Sequence, residues 1–225
     1  MLLLVLFITL VLVALSIAFR IYTVLPKQAT RRTNARHKAD TYSVAVFLGS
    51  GGHTTEAITL LSALDPKRYT HRTYLVSQGD TLSAQKAVDL EVKFGSTPQN
   101  YDILIIPRAR QVHQPLIATP LGALQSLLAC VRYITLAPLY NKKRPTFADV
   151  LILNGPGTSF VVCLAVYINK FFGLPAPVII YVETFARVSS LSLSGKLIRP
   201  LADRFLVQWP AGTGGEKLSS KQWLV

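Results

Sequence analysis

The chain has 225 residues, 50% of them hydrophobic, with 24 lysines and arginines against 11 acidic residues, a formal net charge of +13, and two cysteines. Less an apolar N-terminus and a basic linker, that length suits one compact domain and hardly two. Cys130 and Cys163 sit in apolar helical stretches without metal-ligand spacing, which argues against a disulfide or ligand pair and for buried thiols in a reducing compartment.

Leu2 to Phe19 carries no charge and is just long enough to cross a bilayer core as a helix. Ser16-Ile17-Ala18 has the small-x-small form of a signal-peptidase site, but the segment lacks a basic stretch before its apolar core. All of its positive charge follows it: Arg20, Lys27, Arg31, Arg32, Arg36 and Lys38 precede or flank the first acid, Asp40. That asymmetry predicts an uncleaved anchor with the following domain on the cytosolic side. A second acid-free stretch, Ile103 to Ala148, carries Arg108, Arg110, Arg132, Lys142, Lys143 and Arg144. These cations lie beside apolar segments, without aromatic interleaving or a reading helix, so the pattern points away from nucleic acid.

From Ser43 onward, strand-like and helical runs alternate: Ser43–Leu48, Thr54–Leu64, Arg72–Ser77, Leu82–Leu90, Asp102–Ile106, Leu121–Tyr140, Asp149–Leu153, Thr158–Phe171, Val178–Glu183, Leu193–Arg199 and Arg204–Gln208. The strands are continuously apolar, as when helices cover both faces of a parallel sheet. This predicts a Rossmann-like, doubly wound α/β domain with ligands at the carboxyl ends of its strands. Leu116–Tyr140 is dense in apolar residues but is interrupted by Gln125, Ser126 and Arg132 and shortened by Pro120 and Pro138. It reads as a helix packed on the sheet or resting at a membrane surface rather than a second span.

Two glycine loops stand out. Gly49-Ser50-Gly51-Gly52-His53-Thr54 follows the first strand and opens a helix, a layout that offers backbone N–H groups and a positive dipole end to an anion. It lacks the Lys-Ser/Thr of a P-loop and the G-x-G-x-x-G of dinucleotide binders. Asn154-Gly155-Pro156-Gly157-Thr158 repeats the strand-loop-helix arrangement, so Gly51, Gly52 and Gly157 are predicted to line one crevice. Asn154 and Thr158 fit equally well as turn and N-cap residues. His53 offers one donor and one acceptor to a phosphate or sugar hydroxyl. Glu56 reads as a capping-box partner, and Glu183, at the end of an apolar strand, as the better acidic candidate or as a partner of Arg187. Arg108 and Arg110 follow the third strand at the same edge and suit a pyrophosphate. Neither a metal-binding set nor a Gly-x-Ser-x-Gly elbow occurs, so no metal or other cofactor is expected.

These stretches, together with Pro107-Arg108-Ala109-Arg110, Tyr181-Val182-Glu183-Thr184-Phe185-Ala186-Arg187-Val188, Leu191-Ser192-Leu193-Ser194-Gly195-Lys196 and Ala202-Asp203-Arg204-Phe205-Leu206-Val207-Gln208-Trp209-Pro210, resemble the membrane-anchoring subunit family of the two-subunit UDP-N-acetylglucosamine transferases of dolichol-linked oligosaccharide assembly. The resemblance implies the N-terminal, acceptor-binding half of a split GT-B fold, related to the bacterial lipid II GlcNAc transferase. It divides the chain into an anchor (1–20), a basic juxtamembrane linker (21–40) and an acceptor-binding domain (41–225). It implies that a small cytosolic catalytic subunit binds UDP-GlcNAc, and that the pair adds the second GlcNAc to GlcNAc-diphosphodolichol at the endoplasmic reticulum, on its cytosolic face. The nuclear envelope is a further membrane, and the preceding GlcNAc-phosphate transferase a further partner, that the resemblance allows. His53 and Glu183 become candidates for the catalytic base. Gly51, Gly52, Thr54, Arg108, Arg110, Asn154, Gly155, Gly157 and Thr158 become candidates for binding the acceptor and its phosphates. After Pro210 the chain departs from the family pattern with Ala211-Gly212-Thr213-Gly214-Gly215-Glu216, so the tail Lys217–Val225 reads as altered. Two other readings stand beside this one, a non-catalytic scaffold and a membrane-tethered protein that binds a phosphate ligand.

Overall fold

The computed structural model describes residues 1–26, 41–110, 119–141 and 144–209. After α1 (Leu2–Val24) the chain alternates β1 (Tyr42–Leu48), α2 (Gly52–Ser62), β2 (Tyr69–Ser77), α3 (Thr81–Lys93) and β3 (Tyr101–Ile106). It continues through α4 (Thr119–Val131), a π-helical turn (Arg132–Leu136), α5 (Ala137–Tyr140), β4 (Val150–Asn154), α6 (Gly157–Phe172), β5 (Val178–Val182), α7 (Leu193–Ile198) and β6 (Arg204–Leu206). All strand pairs are parallel, and the sheet order is β3-β2-β1-β4-β5-β6. The order reverses between β1 and β4, and the crevice of an open α/β sheet lies outside the carboxyl ends of those two strands.

Side chains alternate across each strand, so every central strand feeds two cores. Val44, Val46 and Leu48 pack with Tyr74 and Val76 against Ala57 and Leu61 of α2 and Ala87 and Leu90 of α3. Ala45, Phe47, Leu151, Leu153, Ile179 and Tyr181 face Cys130, Val162, Cys163 and Val166 of α4 and α6. This double coverage is why the strands read as unbroken apolar runs. β3 is the exception: as an edge strand it leaves Ile105 55% exposed. Both cysteines are buried and unpaired, and burial pushes the Cys163 thiol up to about 12.

The helical run expected near Leu121–Tyr140 is two α-helices joined by the π-helical turn. Its inner side buries Ser126, Cys130 and Ile134, and Thr135 donates to Asn169 Oδ1 on α6 (2.5 Å). Its outer side leaves Leu121, Leu124, Leu128 and Leu139 exposed.

The apolar N-terminal helix runs past residue 20 to Val24, is long and apolar enough to cross a membrane, and buries none of its residues in the domain. Its last turns dock on the fold through Arg20, whose Nε and Nη2 donate to the carbonyls of Phe171 (2.7 Å) and Lys170 (3.0 Å). A guanidinium there satisfies the orphan carbonyls at the C-terminus of α6 and sits at the negative end of its dipole. Residues 27–40 of the basic linker lie outside the described residues.

At the opposite edge from the crevice, His71 Nε2 lies 3.0 Å from Asp102 Oδ2 and 2.6 Å from Arg144 Nη1. Burial first, and the Arg144 charge next, hold the imidazole below its ordinary 6.5, against the opposing pull of Asp102. The unfolded chain therefore binds this proton more readily than the folded one, so the contribution is intact above pH 6.5 and is lost as pH falls below it. His71→Asn is expected to flatten the fall in Tm between about pH 7.5 and 5.5, as measured by thermal melts of the detergent-purified chain.

Candidate functional site

The crevice is assembled from three loops. β1 delivers Gly49-Ser50-Gly51-Gly52 to the N-terminus of α2, and β4 delivers Gly155-Pro156 to the N-terminus of α6. The N-cap residues, Gly51 and Pro156, make no side-chain cap bond, although Ser159 N, in the first turn of α6, donates to Pro156 O (2.8 Å). A Cβ on Gly51, Gly52 or Gly157 would meet no atom within 4 Å, so open space lies over all three. The expectation that these glycines border one crevice agrees with the strand order. The third loop, Thr184 onward, follows β5 and is fastened by Trp209, whose Nε1 donates to Phe185 O (2.8 Å).

The two glycine loops touch through His53. A Cβ on Gly49 would lie 2.6 Å from Pro156 Cδ, so only glycine lets the loops approach this closely. Gly155 has φ +86°, and a Cβ there would lie 2.6 Å from His53 Cγ, so the imidazole rests directly on its backbone. Gly155→Ala should both strain the left-handed turn, by roughly 1–2 kcal/mol, and push the ring away. Thermal melts check this: Gly155→Ala lowers Tm, whereas Gly52→Ala leaves it unchanged.

His53, 30% exposed at its side chain, places Nδ1 3.0 Å from Asn154 Oδ1. Asn154 is fully buried, and its Nδ2 donates to Glu56 Oε2 (2.7 Å). Glu56 Oε1 accepts from Thr184 Oγ1 (2.7 Å) and from the Phe185 N–H (3.1 Å). This chain of bonds orients each member. A carboxylate only accepts, so Asn154 must present its amide N–H to Glu56 and its carbonyl oxygen to His53. The neutral imidazole then carries its proton on Nδ1, leaving the Nε2 lone pair free of that network.

Glu56 is therefore not a capping-box residue. Its carboxylate joins β4 and the post-β5 loop to α2 instead of turning back on its own helix. Glu183 is placed differently from the expectation as well: it is 1% exposed and turned into the fold. Its Oε2 accepts from Ser192 N (3.0 Å) and Ser192 Oγ (3.1 Å), and Oε1 accepts from Thr184 N (3.2 Å). It clamps the 184–192 loop through Ser192, and among the described residues no ion pair joins it to Arg187. A Cβ on Gly195 would run into the same carboxylate, so glycine there lets the start of α7 pack against Glu183.

Thr54 also faces inward. It is 1% exposed, its hydroxyl donates to Gly49 O and it lies 2.6 Å from Ser83 Oγ, so it fastens the loop rather than lining the crevice. Thr158 Oγ1 accepts from Ala109 N (3.2 Å), tying the Arg108–Arg110 segment to the start of α6. Arg108 is half-buried and Arg110 exposed at that edge. Glu56 had a sequence signal as an acid three residues after His53, but its partners lie 98, 128 and 129 positions away.

An open parallel sheet whose switch point is bordered by two glycine loops and two helix N-termini defines a Rossmann-like α/β domain, here joined to an apolar helix of membrane-spanning length. Residues 44–223 match the family described as "Oligosaccharide biosynthesis protein Alg14 like", and the chain belongs to that family. It is 47% identical to the UDP-N-acetylglucosamine transferase subunit ALG14 of Cryptococcus neoformans, over 94% of this chain and 92% of that protein. It is 34% identical to the human subunit of the same name, over 90% of this chain and 91% of the relative. A solved glycosyltransferase of kitacinnamycin aligns with 64% of this chain and 30% of its own at TM-score 0.38 and 14% identity, too distant to argue from.

Proposed function

We propose that this chain is the membrane-anchored acceptor half of a UDP-N-acetylglucosamine transferase that extends GlcNAc-diphosphodolichol on the cytosolic face of the endoplasmic reticulum. A second, small cytosolic chain supplies UDP-GlcNAc. The observation that carries the reading is the His53–Asn154–Glu56 chain set between two uncapped helix N-termini at the switch point. Such a crevice suits a sugar diphosphate: helix amides and the Arg108–Arg110 segment take the diphosphate, and Nε2 of His53 takes the proton of the attacking hydroxyl. The acceptor 4-hydroxyl oxygen bonds to the donor's anomeric carbon with inversion, the bond to UDP breaks, UDP leaves with the electron pair, and the hydroxyl proton passes to His53. Holding the two sugars in register contributes several kcal/mol, ~7–11 in favourable cases. No cofactor is required.

The names of the relatives, the family membership, the apolar helix and the basic flanks support this assignment. It is tested by co-purifying the full chain with its partner from detergent and assaying GlcNAc transfer to a GlcNAc-diphospholipid. Neither chain alone should transfer, and the pair should. Full-rate transfer by this chain alone would overturn the split assignment.

A further inference from the structure

α6 has two apolar sides. One is buried on the sheet through Val162, Cys163, Ala165 and Val166. The other runs through Phe160, Leu164, Tyr167, Ile168 and Phe171, which share the half-exposed side of the helix at the i, i+4, i+7, i+8 and i+11 positions. This second stripe begins beside Gly157 at the crevice and ends where the anchor docks. From Gly157 the helix rises roughly 10 Å to Leu164 and roughly 21 Å to Phe171.

Along the far half of that stripe lies a cavity of about 350 Å³, lined by Leu164, Tyr167, Ile168, Phe171 and Phe172 of α6, Leu127 of α4, and Ile21 and Val24 of α1. The volume falls within the range of small-molecule sites, ~300–1,000 Å³. The one hydroxyl among these side chains is already engaged, Tyr167 donating to Leu201 O (2.7 Å), so the lining offers a ligand only hydrocarbon contact. Arg20 closes the α1–α6 junction, Ile21 and Phe172 remain exposed at the rim, and Leu124 and Leu128 flank Leu127 in the open. The stretch of α1 before this junction is not buried against any of the described residues and is apolar enough to lie in a bilayer, which sets the cavity at the membrane surface.

We infer that this cavity holds the first part of the isoprenoid chain of the lipid whose diphosphate lies in the crevice, the α6 stripe guiding the chain from one to the other. The inference rests on the acceptor reading above and names the tail contact of the same ligand. Its chemistry follows from the continuity of the track: an anion site at the N-terminus of α6, an uncharged apolar path along the helix, and a greasy chamber against the membrane anchor.

The test uses the full chain assembled with its partner. Leu164→Trp and, separately, Ile168→Trp fill the cavity without touching the crevice. Each should raise KM about tenfold for a GlcNAc diphosphate on a long isoprenoid and leave KM and kcat unchanged for the same head group on a butyl chain. Equal effects on both acceptors, or none on either, would overturn the inference. A diazirine-tagged isoprenyl diphosphate added to the detergent-purified parent gives a second readout. Label on Leu127 or on the 164–172 segment supports the tail site, and label confined to other segments contradicts it. If the parent complex transfers to neither acceptor, the acceptor reading fails, and the label alone decides whether the cavity takes an isoprenoid.

Discussion

Glu56→Gln lowers kcat of the assembled transferase by about 10²–10⁴-fold, the range spanned by general acid–base catalysis, while leaving the fold and the partner contact intact. The reason is hydrogen-bond direction rather than charge. The Phe185 N–H at 3.1 Å can only donate, so a glutamine must keep its carbonyl oxygen at that position and turn its NH₂ toward Asn154. Asn154 then flips to accept, and presents its own NH₂ to His53 Nδ1. To receive that N–H the imidazole must move its proton to Nε2, and the base proposed above is lost. Two measurements check this together: kcat, and the ¹⁵N shifts of the His53 ring, which should show a bare Nε2 in the parent and a protonated Nε2 in the variant. Parental kcat with the parental tautomer would show that Glu56 does not set the ring.

The second large effect is on stability. On the α3 side of the sheet, Arg72 of β2 (4% exposed) grips Glu91 of α3 (1% exposed) through two parallel bonds, Nε to Oε1 at 2.6 Å and Nη2 to Oε2 at 2.7 Å, and the Tyr74 hydroxyl also donates to Glu91. Burial works to raise the Glu91 carboxyl, but the bonds from Arg72, Ser96 and Tyr74 more than offset it and hold the group below its ordinary 4.5. A depressed carboxyl stabilises the fold above its unfolded value, and that stability is lost as pH falls through the folded one. Glu91→Ala strands the guanidinium in the core and should cost about 3–5 kcal/mol. For a chain of this length that is a fall in Tm of roughly 6–20 °C, at 2–4 °C per kcal/mol. The double change Arg72→Met with Glu91→Leu should recover most of it, because no unpaired charge remains. A Tm for Glu91→Ala within about 2 °C of the parent would contradict the pairing.

The alternation of strands and helices was legible because apolar runs, glycine loops and helix periods are local. So was the meeting of the two glycine loops, since parallel strands send their carboxyl ends to one edge. Three side-chain directions were not legible. Glu56 reads as a cap by spacing, yet its partners are brought to it by β4 and by the loop after β5. Glu183 reads as an edge carboxylate, yet Ser192 returns to cover it. Thr54 sits one residue from His53 and faces the other way, onto Ser83, because neighbouring helical positions point about 100° apart. The break at Arg132–Leu136 has a local signal in Pro138, which has no N–H to offer the carbonyl of Ile134; the bonds of Ile134 O and Thr135 Oγ1 to Asn169, in contrast, form only once α4 and α6 have packed. The altered tail after Pro210 lies outside the described residues.

The central claim is that His53 does acceptor-side chemistry in this crevice. The direct measurement is kcat for GlcNAc transfer by the complex carrying His53→Ala, with partner retention confirmed by co-purification. A fall of about 10²–10⁴-fold with the partner still bound is the expected result. A complex that keeps its partner and transfers at the parental rate would contradict the claim and leave the crevice a structural junction.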